Sequence, residues 1–143
     1  MRVLIRGAGD IATGIALRLY RARMQVIMTD LPKPTAIRRT VCFSQAIVHG
    51  EAEVEGVRAI FAESIAAVER IADQGHIPVL ADPECACRAE LRPDALVDAI
   101  LAKRNLGTRI TDAPIVVGIG PGFTAGKDCH AVVETMRGHT LGR

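Results

Sequence analysis

The sequence predicts an α/β fold: a doubly wound, mostly parallel, Rossmann-like sheet built as a single domain from residues 1–143. Three observations predict it. Short apolar runs alternate with helical patterns along the chain. Aromatic residues make up only 3% of a chain that is 49% hydrophobic, so the core is aliphatic, as suits parallel strands covered by helices. A glycine turn follows the first apolar run and opens the first helical pattern.

The elements follow in order. Residues 3–5, 26–28, 57–61, 78–81, 95–100 and 115–119 are apolar runs short enough for buried strands. Residues 11–21 form the first helix. Residues 64–74 form another, because Ile65, Val68, Ile71 and Ala72 recur at three-and-four spacing before a stop at Gly75. Between residues 34 and 57 the pattern is less regular: Ser44 caps a short helix ending at Gly50, and a strand and a turn at Gly56 follow. Residues 130–135 read as a final strand at a sheet edge, and the closing "MRGHTLGR" is polar and glycine-broken.

The totals exclude several classes of function. Lys and Arg number 18 against 16 Asp and Glu, a balance with no strong field for a polyanion. With so few aromatic rings for base stacking, nucleic acid is not an expected partner. No apolar run approaches the ~20 residues that span a bilayer, and no signal-peptide cleavage pattern precedes the first strand, so no membrane partner is expected. Cys42, Cys85, Cys87 and Cys129 are too few and too irregular for a disulfide framework, which points to a reducing, cytoplasmic setting.

Gly7-Ala8-Gly9-Asp10-Ile11-Ala12 matches the relaxed form G-x-G-x-x-A in the strand-to-helix context that gives this motif meaning. Gly7 permits the tight turn, Gly9 leaves room for a pyrophosphate, and Ala12 lets helix and strand lie close. The helix start then offers unpaired amides and a positive dipole end to a phosphate. Asp30, which ends "VIMTD", stands where an acidic residue meets an adenine ribose and favours NAD. Lys33, Arg38 and Arg39 follow closely and offer a site for the 2′-phosphate of NADP instead. The plainer alternative is a glycine turn that only shapes the chain, and Asp10 at the helix entrance speaks for it by repelling phosphate.

A second glycine turn, "VVGIGPGFTAG", leaves another apolar run, and in a parallel sheet its tip falls on the same carboxyl edge. Gly120, Gly122 and Gly126 let amides converge on an anion, with Thr124 and Lys127 beside them. A simple reversal into an edge strand explains the same residues equally well. Lys103, Arg104 and Asn105 lie near that edge, where small ligands meet open α/β sheets.

Other polar clusters carry less. Asp112, in "ITDAP", suits a turn at the opposite edge. Asp82 and Glu84 flank a proline and suit a turn better than acid–base chemistry or a metal. Cys85-Ala86-Cys87, with Cys129 and His130 at a distance, has the wrong spacing for zinc, so no metal is expected. No serine-hydrolase elbow, P-loop lysine motif or i, i+4 histidine pair is present, and no catalytic residue is assigned.

"IRGAGDIATGIALRL", "RRTVCFSQAI" and the long block from "DAILAKRNLGT" to "RGHTLGR" together resemble the YqeB family of accessory proteins for selenium-dependent molybdenum hydroxylases. The resemblance covers essentially the whole chain. It implies a Rossmann-type domain related in role to the XdhC maturation factors, acting in maturation of those hydroxylases on a nucleotide or a pterin such as molybdopterin. The family's blocks fall here at Gly7, Gly9, Asp10, Thr13 and Gly14, and at Lys103, Asn105, Asp112, Gly120, Gly122, Phe123 and Gly126. Cys85 and Cys87 lie outside that pattern. Members continue beyond "RGHTLGR", so the chain is expected to be either an excised domain or a shortened relative. The expected partners are a small-molecule nucleotide and a molybdenum hydroxylase or its maturation factors; a homo-oligomer is left open. Two rivals stand beside this reading: an NAD(P)-dependent oxidoreductase using Asp30 with Lys103 or Asp82, and a non-catalytic nucleotide-sensing module.

Overall fold

The structure is a computed structural model that describes residues 1–32 and 42–134. In chain order the elements are β1 (Arg2–Arg6), α1 (Asp10–Arg21), β2 (Gln25–Asp30), α2 (Gln45–His49), β3 (Glu51–Val54), β4 (Val57–Ala62), α3 (Ile65–Asp73), β5 (Ile77–Ala81), α4 (Arg88–Leu91), β6 (Ala95–Asp98), β7 (Ile115–Ile119) and β8 (Ala131–Val133). All eight strands join one sheet in the order β3-β4-β5-β2-β1-β6-β7-β8. β3 and β4 form an antiparallel hairpin at one edge, and every other pairing is parallel. This is the expected α/β class.

Both faces are covered, and the handedness of parallel crossovers explains how. From β1 the chain moves by α1 to β2 in one direction across the sheet; from β4 it returns by α3 to β5, and by α4 to β6, in the other. A right-handed crossover therefore puts α1 on one face and α3 and α4 on the opposite one. The core divides accordingly. Ala12, Ala16 and Leu17 of α1 pack with Val3, Ile5, Val26 and Met28 on the first face. Val68 and Ile71 of α3 pack with Leu4, Ile27 and Leu96 on the second. Alternate residues of each central strand thus serve opposite faces, as the period of two requires.

Local signals account for the helix ends. Ser64 caps α3 by accepting a hydrogen bond from the Ala67 amide at 3.3 Å. Beyond α3, the His76 amide returns to the Ile71 carbonyl around Gly75. Ala12 and Ala16, both fully buried, let α1 lie close to the sheet. Gly14 is on the outer side of α1, and a methyl group there would meet nothing within 4 Å. Gly14→Ala should therefore stabilise the chain by about 0.5–1 kcal/mol, read as a raised urea midpoint at unchanged slope. Unchanged or lowered stability would show that this glycine serves something other than the helix.

Several boundaries differ from the sequence reading. β6 stops at Asp98 rather than continuing to residue 100, because the Asp98 carboxylate accepts the Ile100 amide at 3.2 Å and turns the chain out of the sheet. Ser44 stands at the amino end of α2, but its backbone is helical and its buried hydroxyl caps nothing. α4 is a single turn that no periodic pattern announces. β8 keeps its edge position but spans only Ala131–Val133, and Thr135 is outside the described residues. Lys33, Arg38 and Arg39 are outside them too. Among the described residues no helix is long and apolar enough to cross a membrane.

Candidate functional site

β1 lies between β2, reached by a crossover in one direction, and β6, reached in the other. A crevice opens outside the carboxyl ends of strands at such a switch point, since the two connections leave on opposite faces. A cavity of about 570 Å3 occupies this place, within the ordinary range for small-molecule sites. Gly7, Gly9, Asp10 and Asp30 border it, with Ile100, Leu101 and Leu106 as an apolar wall.

The two glycines of the first turn answer to different demands. Gly7 has φ +115°, and a Cβ there would stand 2.9 Å from the Ala99 carbonyl oxygen, so the fold itself needs glycine. Gly9 has φ −74° and ψ −166°, a conformation open to any residue, and a Cβ there would meet nothing within 4 Å. The space a side chain would take there is open, and Gly9 borders the crevice. Among the described residues no acceptor reaches the amides of Gly9, Asp10 and Ala12, so the start of α1 presents open donors and a positive dipole end. Asp10 is exposed, and its carboxylate accepts the adjacent Ile11 amide at 2.9 Å.

Asp30 borders the same space and helps build it. Its carboxylate accepts the Ala8 amide at 3.1 Å and the Leu31 amide at 2.7 Å, tying the end of β2 to the glycine turn. Burial raises its pKa above the usual carboxylate value, and those two amides pull it down in part. Both oxygens keep a lone pair for a ligand hydroxyl.

Thr13 and Gly14 are elsewhere. The buried Thr13 hydroxyl accepts the Phe43 amide at 2.9 Å, joining α1 to the segment that enters α2, and Gly14 faces outward. Ala12 is buried against the sheet.

Beneath the crevice is a polar row that the sequence reading passed over. Arg6 and Asp98 end β1 and β6, Thr29 is the last but one residue of β2, and the three are register partners across those strands, on the face covered by α3 and α4. All three are buried. Arg6 Nη1 is 4.0 Å from Asp98 Oδ2, and the Thr108 hydroxyl bridges them: it donates to Asp98 at 2.5 Å and accepts from Arg6 at 3.1 Å. Arg6 Nη2 donates to the Pro83 carbonyl at 3.0 Å, while its Nε finds no partner. The signal was present: "VLIRG" and "ALVDA" each carry one charge, of opposite sign, inside an apolar run.

The second glycine turn does not border this cavity. A Cβ on Gly122, at φ +99°, would strike the Arg104 backbone at 2.5 Å, and one on Gly120 would meet Leu101. Phe123 lies over Gly118. These residues hold the loop after β6 in place, and that loop supplies Leu101 and Leu106 to the crevice. Thr124 and Gly126 belong to a closed turn: the Thr124 amide donates to the Asp128 carboxylate and the Gly126 amide to the Cys129 carbonyl. Asn105 pins the loop by exchanging two 2.7 Å hydrogen bonds with the Thr108 backbone, and Lys103 has φ +67° in the same loop. Asp112 accepts the Arg109 amide and pairs with Arg88 at 3.1 Å, the turn role expected of it.

The loop after β5 is organised by Asp82, whose carboxylate accepts the amides of Ala86 at 3.0 Å and Cys87 at 2.8 Å. It holds the two thiols together. The Cys87 thiol, donating to the Cys85 sulfur, takes Cys85 below the ordinary thiol pKa, helped by the nearby Thr29 hydroxyl and Arg6 charge and opposed by burial and Asp82. Cys87, as donor, is raised. The Thr29 hydroxyl lies beside that sulfur without completing a well-formed hydrogen bond. Cys42 is of another kind: burial, then the charges of Asp10 and Asp30, push it up to about 11. His130 is held at the other end of β7, where its Nδ1 accepts the Val116 amide at 2.9 Å.

Comparison with known proteins gives one informative likeness. The chain is 59% identical over 141 residues, 99% of its length, to a protein of Escherichia coli (strain K12) named "Uncharacterized protein YqeB". It spans 26% of that relative's length. The likeness supports the YqeB resemblance read in the sequence. No protein-family model matches the chain, and no solved structure gives a significant match.

Proposed function

We propose that the chain is a nucleotide- or pterin-binding unit of the YqeB family, serving as an accessory factor in the maturation of selenium-dependent molybdenum hydroxylases. The observation that carries the binding part is Gly9. Its backbone is ordinary and its surroundings are empty, so the fold asks of it no more than a helix cap, whereas a pyrophosphate over the open amides of α1 needs that space. Asp30 then takes ribose hydroxyls, and Ile100, Leu101 and Leu106 face a base or a pterin ring. The link to YqeB rests on the 59% identity, and the maturation role on the resemblance of the sequence blocks to that family.

Among the described residues the titratable side chains bordering the cavity are Arg6, Asp10 and Asp30, and Arg6 and Asp30 are already bonded within the fold. They make no nucleophile–base pair, which favours an accessory or sensing role over hydride transfer.

Calorimetric titration with NAD, NADP, ATP, a cytidine dinucleotide and a molybdopterin compound tests the reading. Saturable binding of at least one is expected, and no binding to any of them by folded protein overturns it. Turnover of bound nicotinamide would instead establish the oxidoreductase. Asp30→Ala should weaken NAD more than NADP by about tenfold, the loss of one charge-assisted hydrogen bond. The ratio of the two affinities is the useful reading, since loosening of the Ala8 turn affects both alike. A reversed ratio moves the ribose contact away from Asp30.

A further inference from the structure

We propose that Cys85 and Cys87 form a dithiol–disulfide couple, a two-electron redox site on the loop after β5 that exchanges with small disulfides. The two thiols are one residue apart and are buried in the same cluster. The chain brings them together at a conformational cost: Cys85 has φ +54°, unusual for any residue but glycine, asparagine or aspartate. Specific contacts hold that geometry. Asp82 binds the loop amides on one side, and the Arg88 guanidinium donates to the Cys85 carbonyl at 2.9 Å and the Glu84 carbonyl at 3.3 Å on the other.

A second cavity, of about 440 Å3, opens against the same loop and gives the reagent a place. Arg6, Arg88, Glu84, Ala86, Leu106 and Gly107 border it. Both guanidiniums already face carboxylates, Arg6 that of Asp98 and Arg88 that of Asp112, so the cavity offers room for a small disulfide such as oxidised glutathione and no charge selection. Cys85 and Cys87 are buried while Pro83, Glu84 and Ala86 are exposed, so the loop must open for attack.

The step balances. The Cys85 thiolate attacks one sulfur of the added disulfide, forming a mixed disulfide and releasing one thiolate, which takes up the proton that Cys85 lost. The Cys87 sulfur, deprotonated in its turn, attacks the Cys85 sulfur, closes the Cys85–Cys87 bond and releases the second thiol. Two protein thiols are oxidised and one external disulfide is reduced to two thiols. A ring this small is strained, which makes the bond readily reducible and the couple reversible.

The test uses the folded chain and oxidised glutathione. Of the four cysteines, two thiols should remain, with Cys85 joined to Cys87 in the peptide map and dithiothreitol restoring all four. Cys87→Ser should trap glutathione on Cys85. Retention of four thiols in folded protein, or glutathione on Cys42 or Cys129 without a Cys85–Cys87 bond, overturns the couple. Wild-type protein alone decides the main point, so the result does not depend on whether Cys87→Ser folds.

Discussion

Gly9→Val is expected to lower nucleotide affinity at least 100-fold and leave the fold intact. The branched side chain would enter the one space the glycine turn leaves open, over the amides that begin α1, and displace a phosphate held there. The chain itself has no objection to it. The backbone at Gly9 is extended, and a Cβ there touches nothing, so the cost is that of a poor helix cap, about 1 kcal/mol. That corresponds to a fall in Tm of roughly 2–4 °C for a chain of this size. Gly7→Ala is the contrasting control. It forces an L-residue to φ +115° and puts its methyl 2.9 Å from the Ala99 oxygen, so it should cost about 3 kcal/mol or more and lose binding only through unfolding. Calorimetry on both variants, with melting curves, separates the two glycines. If Gly9→Val binds as tightly as wild type, no phosphate lies at this turn.

The motif itself assigns Gly7 to the turn and Gly9 to the phosphate space; what it cannot show is the Ala99 carbonyl that closes on Gly7. The motif, the strand before it, the helix after it and Asp30 at the next strand end were all legible, because each depends on local pattern and chain order. The second turn misled for the opposite reason. "GIGPGF" has the composition of an anion loop, but its glycines are set by the approach of Arg104 and Leu101, a tertiary contact without local signature. Arg6 and Asp98 were missed because each looks like a stray charge in an apolar run. Only the strand order, which sets β1 beside β6, makes them a pair. Cys85 and Cys87 were weighed as metal ligands by spacing; their burial in one cluster and the left-handed backbone at Cys85 appear only in three dimensions.

Asp98→Ala should be the most destabilising of the substitutions considered, costing about 3–5 kcal/mol in urea unfolding. The loss is not that of the ion pair, whose 4.0 Å separation is long. It is the stranding of Arg6, whose side chain is only 7% exposed, with the Thr108 hydroxyl left without its acceptor. The double variant Arg6→Met, Asp98→Leu removes both charges and fills similar volume, so it should recover most of that stability. A double variant as unstable as the sum of its parts would mean that Arg6 and Asp98 are not coupled. The recovered protein also decides what the row is for. Retained nucleotide binding would make the row a brace for the three strands that end at the crevice. Lost binding in a stable double variant would put the guanidinium itself in the site, where its unpartnered Nε and its place on the cavity border leave it able to serve.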